Sequence, residues 1–226
     1  MNKPTTKIVA IVLILTCCAL SAMTFALSVK DDADTAIVAY TVAIDAGHGG
    51  IDGGVVASDG TKESDLNLTY AHQLKKLFEL GGFNAEMTRS TSAGLYGLPT
   101  KGFKRRDMVA RKKIVADCGA NVCISVHMNK FADSTRSGCQ VFFQKGDEEG
   151  EKLAVAIQQN LNAASGGNYS ALCGDYFMCR EIGCTAVIVE FGFLSNETEC
   201  RLLCTDEYKE KLCNAVYCGL LQYLCR

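Results

Sequence analysis

The sequence predicts an α/β protein built on a mostly parallel central sheet flanked by helices, with an N-terminal membrane segment ahead of it. Three observations carry that expectation. Short apolar runs alternate with longer amphipathic stretches from about residue 41 onward, the pattern of strands separated by crossover helices. Polar and titratable residues gather where those apolar runs end, which is where open α/β sheets place their sites. One uncharged run of twenty positions, residues 8–27, precedes everything else.

That run is flanked by Lys3 and Lys7 on one side and by Lys30, Asp31, Asp32 and Asp34 on the other. About twenty apolar residues suffice to cross a bilayer as a helix, and basic residues before the run place the N-terminus inside. A retained anchor is preferred over a cleaved signal peptide because the run is long for the latter. Either way, residues 1–27 export the chain, residues 28–40 read as a linker, and residues 41–226 form one domain.

The elements follow in order. Residues 41–45 form a buried strand. Residues 64–80 form a helix with Leu66, Tyr70, Leu74, Leu77 and Phe78 on one face, stopped by Gly81-Gly82. Residues 83–88 are a second strand, 104–117 a basic helix, 122–127 and 139–144 two further strands, and 148–164 a helix. Residues 186–190 are the most apolar strand. Asn196 and Glu199 have the spacing of a capping box and open a short helix, and Thr205-Asp206 starts a last helix that ends near Tyr223.

Composition narrows the function. With 48% hydrophobic and 21% charged residues the chain buries a core, and a net charge of −2 argues against a nucleic-acid binder. The first strand runs into Asp45-Ala-Gly-His48-Gly-Gly-Ile-Asp52-Gly-Gly54. This is neither a dinucleotide fingerprint nor a phosphate loop; its glycines let the backbone turn and expose His48. His127 ends another strand, and Glu190 closes the most apolar one, where a carboxylate needs a partner or a task. Two of the chain's three histidines at strand ends suit either packed structural imidazoles or a zinc site. A catalytic zinc takes three protein ligands, and Glu63, at a helix start, is either the third or an acid favoured by the helix dipole. His72 falls with Lys75, Lys76 and Glu79 on the polar side of its helix and reads as surface.

Five segments in order, Ile44-Asp-Ala-Gly-His-Gly-Gly50, Glu63-Ser-Asp-Leu-Asn-Leu68, Thr88-Arg89, Ser125-Val-His-Met-Asn129 and Val189-Glu-Phe-Gly-Phe-Leu-Ser-Asn196, resemble the zinc-dependent N-acetylmuramoyl-L-alanine amidases. The resemblance implies a phosphorylase/hydrolase-like fold. It implies one Zn2+ bound by His48, Glu63 and His127, and Glu190 as catalytic acid/base. It also implies hydrolysis of the amide between the lactyl group of N-acetylmuramic acid and L-alanine in peptidoglycan. The short N-terminal segment, the lack of a wall-binding module and the Lys101–Asp107 stretch are most similar to the spore-cortex, germination-related branch. An exported accessory protein is then plausible. One departure is Cys184-Thr185-Ala186 where the family usually has proline. Asn67 is placed to hold Glu63, and Arg89 and Asn129 flank the site as weaker substrate contacts.

Alternatives remain open from sequence alone: a zinc carboxypeptidase acting on stem peptides, or an inactive wall-binding module. Lys104, Arg105, Arg106, Arg111, Lys112 and Lys113 form either a solvated helix face or a docking surface for stem-peptide carboxylates or a partner protein. Thirteen cysteines, eleven of them beyond the membrane segment, read as buried thiols, a few disulfides, or a second metal site in that order.

Overall fold

A computed structural model describes residues 40–226. The run at 8–27 and residues 28–39 of the linker lie outside the described residues. Among the described residues no helix is long and apolar enough to cross a membrane.

The elements are β1 (Thr41–Ala46), α1 (Glu63–Leu80), β2 (Asn84–Met87), α2 (Phe103–Asp117), β3 (Val122–Asn129), β4 (Gln140–Gln144), α3 (Glu148–Ser165), β5 (Leu172–Gly174), α4 (Phe177–Arg180), β6 (Thr185–Phe193), α5 (Glu197–Leu203) and α6 (Asp206–Leu224). They form one six-stranded sheet in the order β2-β1-β3-β6-β4-β5. β2, β1, β3 and β6 are parallel, β4 runs antiparallel to β6, and β5 is parallel to β4. The sheet is therefore mixed, with a reversed two-strand edge that the expectation of a mostly parallel sheet did not specify.

Alternation along the strands divides the sheet into two unlike faces. Val42 and Ile44 of β1, Val122, Ile124 and Val126 of β3, and Val187, Val189 and Phe191 of β6 enter the main core. That face is covered by α1 and α3, with α5 against β6, and α6 packs onto α1 and α3. The intervening residues, Ile188 apart, are small or polar: Ala43 and Asp45, then Cys123, Ser125 and His127, then Ala186 and Glu190. Here α2 and α4 pack over a minor cluster of Ala43, Val115, Cys123, Met178, Ile182 and Ala186. A face of small side chains next to a short helix leaves room for a cleft.

The helix ends follow local chemistry. Asn196 caps α5 by accepting from the Thr198 and Glu199 amides at 3.0 Å each. Glu199 does not complete a capping box. It is buried and accepts instead from the amides of Gly138 and Phe193, tying the approach to β4 to the end of β6. Asp147 and Thr205 cap α3 and α6.

Two strands run further than the sequence implied. β3 continues through His127 to Asn129, and β6 continues through Glu190 to Phe193. Glu190 interrupts only one face of β6, while Phe191 and Phe193 keep the other face apolar and buried. β5 and α4 were not anticipated, because three and four residues carry no readable period.

All eleven described cysteines are free thiols. Cys123, Cys139, Cys179, Cys200 and Cys213 are buried, and Cys173, Cys204, Cys218 and Cys225 are exposed.

α6 crosses α3 at Gly219, where a Cβ would lie 2.6 Å from the Ile157 Cα. Gly219→Ala should therefore destabilise the domain by about 1–3 kcal/mol through overpacking, although alanine favours helices. Urea unfolding of the two proteins checks this; equal midpoints would show that the helices separate without cost.

Candidate metal centre and active-site cleft

The centre is assembled from three segments. β1 leaves the sheet at Ala46, and the Gly47 amide donates to Val126 O at 3.1 Å, holding the exit against β3. His48 follows with φ +62°, a conformation uncommon for a residue with a Cβ. Gly47 is required by proximity: a Cβ there would lie 2.3 Å from the His127 ring. Gly54 is required twice, by φ +67° and by the Glu63 carboxylate 2.4 Å from its would-be Cβ.

Glu63, the first residue of α1, is 3% exposed. Its Oε1 lies 3.2 Å from His48 Nε2 and 2.9 Å from His127 Nδ1. The two imidazoles meet edge to face, 5.0 Å apart. The remaining lone pairs of Glu63 accept from the amides of Val55 and Met128 and from Asn67 Nδ2. Burial alone would raise the Glu63 pKa, but bonds from His127 and His48 and their charge hold it well below the usual carboxylate range. Burial likewise opposes charging of His48, yet Glu63 and then Asp52 raise its pKa.

One donor atom from each of His48, Glu63 and His127 lies within 4.8 Å of the others. Tetrahedral zinc with ligand bonds of about 2.0–2.2 Å separates its donors by roughly 3.3 Å. Two imidazole nitrogens and a carboxylate oxygen at 2.9 and 3.2 Å fit that demand. Asp52 supplies an orienting bond, its Oδ2 3.1 Å from His48 Nδ1, the kind of carboxylate contact that fixes the orientation of a metal-binding imidazole. Asp52 was not singled out in the sequence; the four-residue step from His48 within one glycine-rich turn was the available signal.

Glu190 is the direct register partner of His127 across β3 and β6. Its Oε2 is sealed from solvent and has no hydrogen-bond partner. Burial pushes its pKa up to about 7, with His127 pulling down, Glu63 pushing up and His48 pulling down. A cavity of about 250 Å³ opens onto His48, His127 and Glu190 together. Its walls include Tyr96 and Phe103, which meet edge to face, and Tyr176, Phe177 and Met178.

Behind the centre lies a buried charged network. Arg111 and Asp45 are each 1% exposed and bond at 2.7 Å. Asp45 also accepts from Ser125 and Thr88. Arg111 reaches Asp107, the Ala46 carbonyl and the His48 carbonyl. Burial would raise the Asp45 pKa, but the Arg111 charge and the Ser125 bond lower it. Arg111 is thus no part of a solvated face. Its spacing with Asp107 and Val115, the buried residues of α2, is the helical period that marks it as inward-facing.

The weaker candidates divide. Asn67 bridges Glu63 and the Gly47 carbonyl. Arg89 is 4% exposed and donates to the carbonyls of Ala46, Gly47, Ser64 and Thr91; it braces the loop and is absent from the cavity wall. Asn129 accepts from the next amide, Lys130 N, and also lies outside that wall. His72 is exposed.

Two predictions follow from this geometry. Gly47→Ala should displace the His127 ring and weaken metal uptake while far-ultraviolet circular dichroism stays unchanged; zinc titration reads the difference, and native affinity would refute the packing argument. Asp45→Asn leaves Arg111 without its buried counter-charge and should cost about 3–5 kcal/mol near neutral pH. A depressed carboxylate pKa stabilises the fold above the unfolded value of 3.8 and loses that contribution as pH falls. The stability gap between wild type and Asp45→Asn should therefore narrow from about pH 6 to about pH 2. A constant gap in urea titrations would contradict it.

Residues 42–222 match the family described as N-acetylmuramoyl-L-alanine amidase. The chain is 31% identical over 185 residues to the germination-specific N-acetylmuramoyl-L-alanine amidase of Bacillus subtilis, covering 80% of this chain and 78% of that protein. The fold is similar to the CwlD amidase of Clostridioides difficile, solved in complex with the GerS lipoprotein, at TM-score 0.78 and 34% identity over 82% of this chain and 98% of that one. It is also similar to the catalytic domain of CwlV, an amidase from Bacillus (Paenibacillus) polymyxa, at TM-score 0.73 and 25% identity over 82% and 98% of the two chains. With the family model matched from residue 42 to residue 222, and a relative 31% identical over most of both chains, the chain belongs to the N-acetylmuramoyl-L-alanine amidase family.

Proposed function

We propose that this amidase cleaves peptidoglycan between the N-acetylmuramic acid lactyl group and L-alanine using zinc held by His48, Glu63 and His127, with Glu190 moving the proton. The observation that carries the assignment is Glu190 itself, whose Oε2 is buried without a partner and which lines the cavity shared with both histidines. When bound, zinc would polarise the scissile carbonyl and acidify water.

The chain's own residues do the rest. A carboxyl group with a pKa near the working pH both accepts and returns protons efficiently. Glu190, at about 7, takes the proton of the attacking water and delivers it to the leaving amine of L-alanine. Ile188 and the aromatic wall keep bulk water away from that carboxylate. Asp52 and Asn67 hold His48 and Glu63 in place, so that no ligand has to reorganise during the reaction.

We further propose that residues 1–27 export the domain to the wall side and retain it at the membrane, and that it acts in spore-cortex maturation and germination. The likeness to a germination-specific amidase supports that role. The CwlD structure was obtained with a lipoprotein, which supports an exported accessory protein here as well.

Glu190→Gln should retain fold and zinc content and lose release of stem peptides by at least about a hundredfold. His48→Ala should lose zinc itself, and a chelator should silence the wild type reversibly. Mass spectrometry of digested muropeptides reads all three: the expected products are a free L-alanine amine and an intact glycan. Full activity of Glu190→Gln would overturn its role. A second readout is independent of turnover. A carboxylate whose folded pKa is raised from 4.5 to about 7 loses stability as pH rises through that range. Metal-free Glu190→Gln should therefore unfold at higher urea than the metal-free wild type at about pH 8.

A further inference from the structure

The cleft is rich in acid. Asp45, Asp52, Asp107 and Glu190 line it, so besides the metal ion the site would hold, an anionic peptide needs a protein cation to meet it. Two cations line the cavity, Arg111 and Lys104. Arg111 is 1% exposed and tied to Asp45, Asp107 and two carbonyls. Lys104, the second residue of α2, is 68% exposed. Its Nζ lies 3.3 Å from Asp52 Oδ1, and the other oxygen of Asp52 contacts His48. Its ammonium therefore stands one carboxylate away from the metal centre.

Resting on the amidase reading above, we propose that Lys104 determines substrate specificity by binding the free α-carboxylate on the stem-peptide residue that follows L-alanine. An extended peptide advances about 3.3–3.6 Å per residue, so that carboxylate leaves the scissile amide by roughly two residue lengths. The separation of Lys104 from His48 across one carboxylate is of the same order. An ammonium has three donors; Asp52 takes one direction and leaves others for the substrate. Phe103 and Tyr96, stacked edge to face at 5.2 Å, line the cleft next to Lys104. This aromatic pair suits the alanine methyl.

The test compares two N-acetylmuramoyl tripeptides that differ only in carrying a carboxylate or a carboxamide at the second residue. Zinc-loaded wild type should prefer the carboxylate by about tenfold in kcat/KM. Lys104→Gln should bring that ratio to about one, with the loss residing in KM, and Lys104→Arg should keep most of it. Lys113→Gln removes the same charge from the same helix at a residue absent from the cavity wall, and should leave the preference intact. A wild type without preference, a preference that survives Lys104→Gln, or an equal fall in kcat on both substrates would overturn the assignment. The last would mean that Lys104 acts only through Asp52 and His48. If the zinc-loaded wild type cleaves neither substrate, the amidase reading fails first.

Discussion

The pairing of Arg111 with Asp45 beneath the metal centre constrains everything above it. Two charges at 1% exposure are expensive to bury, and such a pair rarely adds net stability over an apolar substitute. Its value is positional. One guanidinium links β1, through Asp45 and the Ala46 carbonyl, to α2, through Asp107, and to the His48 carbonyl beyond. Arg89 grips the same turn from the other side at Ala46 and Gly47. His48 can therefore remain at a positive φ because its neighbours on both sides are fixed.

That arrangement depends on the unequal faces of the sheet. The main core takes the large residues of β1, β3 and β6, so the opposite face is free to carry Asp45 beside Ser125 and, two residues on, His127 beside Glu190. Period-two alternation turns three separate strands into one polar column. His127 and Glu190 then become neighbours by register alone, without any loop having to bring them together.

Much of this was legible in the sequence. The strand–helix alternation, the glycine-rich turn and the positions of His48, His127 and Glu190 at strand ends stand out by local pattern, whereas Glu63 joined them only through the family resemblance. What escaped was information held between segments. Asp52 gains meaning only when the turn folds back against α2, where it meets Lys104, which the sequence offered only as one of a basic run. Arg111 was read among surface cations because charge dominated its local context, although its step to Val115 is that of a buried stripe. Glu190 was taken for the end of a strand because a carboxylate looks like a boundary; in a sheet with two unlike faces it is only a change on one of them. The edge of β5 and α4 has too few residues for any period to emerge.

The reversed β4–β5 edge has a consequence for how such enzymes diversify. It carries Tyr176, Phe177 and Met178 on a link between β5 and β6, whereas the segments bearing His48, Glu63 and His127 belong to the parallel half of the sheet or the turn and helix attached to it. One rim of the cleft can thus be lengthened, shortened or replaced during evolution while the chemistry opposite it keeps its scaffold. The fold thus leaves one margin of the cleft free to vary, and selectivity for different walls can drift there while the catalytic inventory, and Lys104 on α2, stay unchanged.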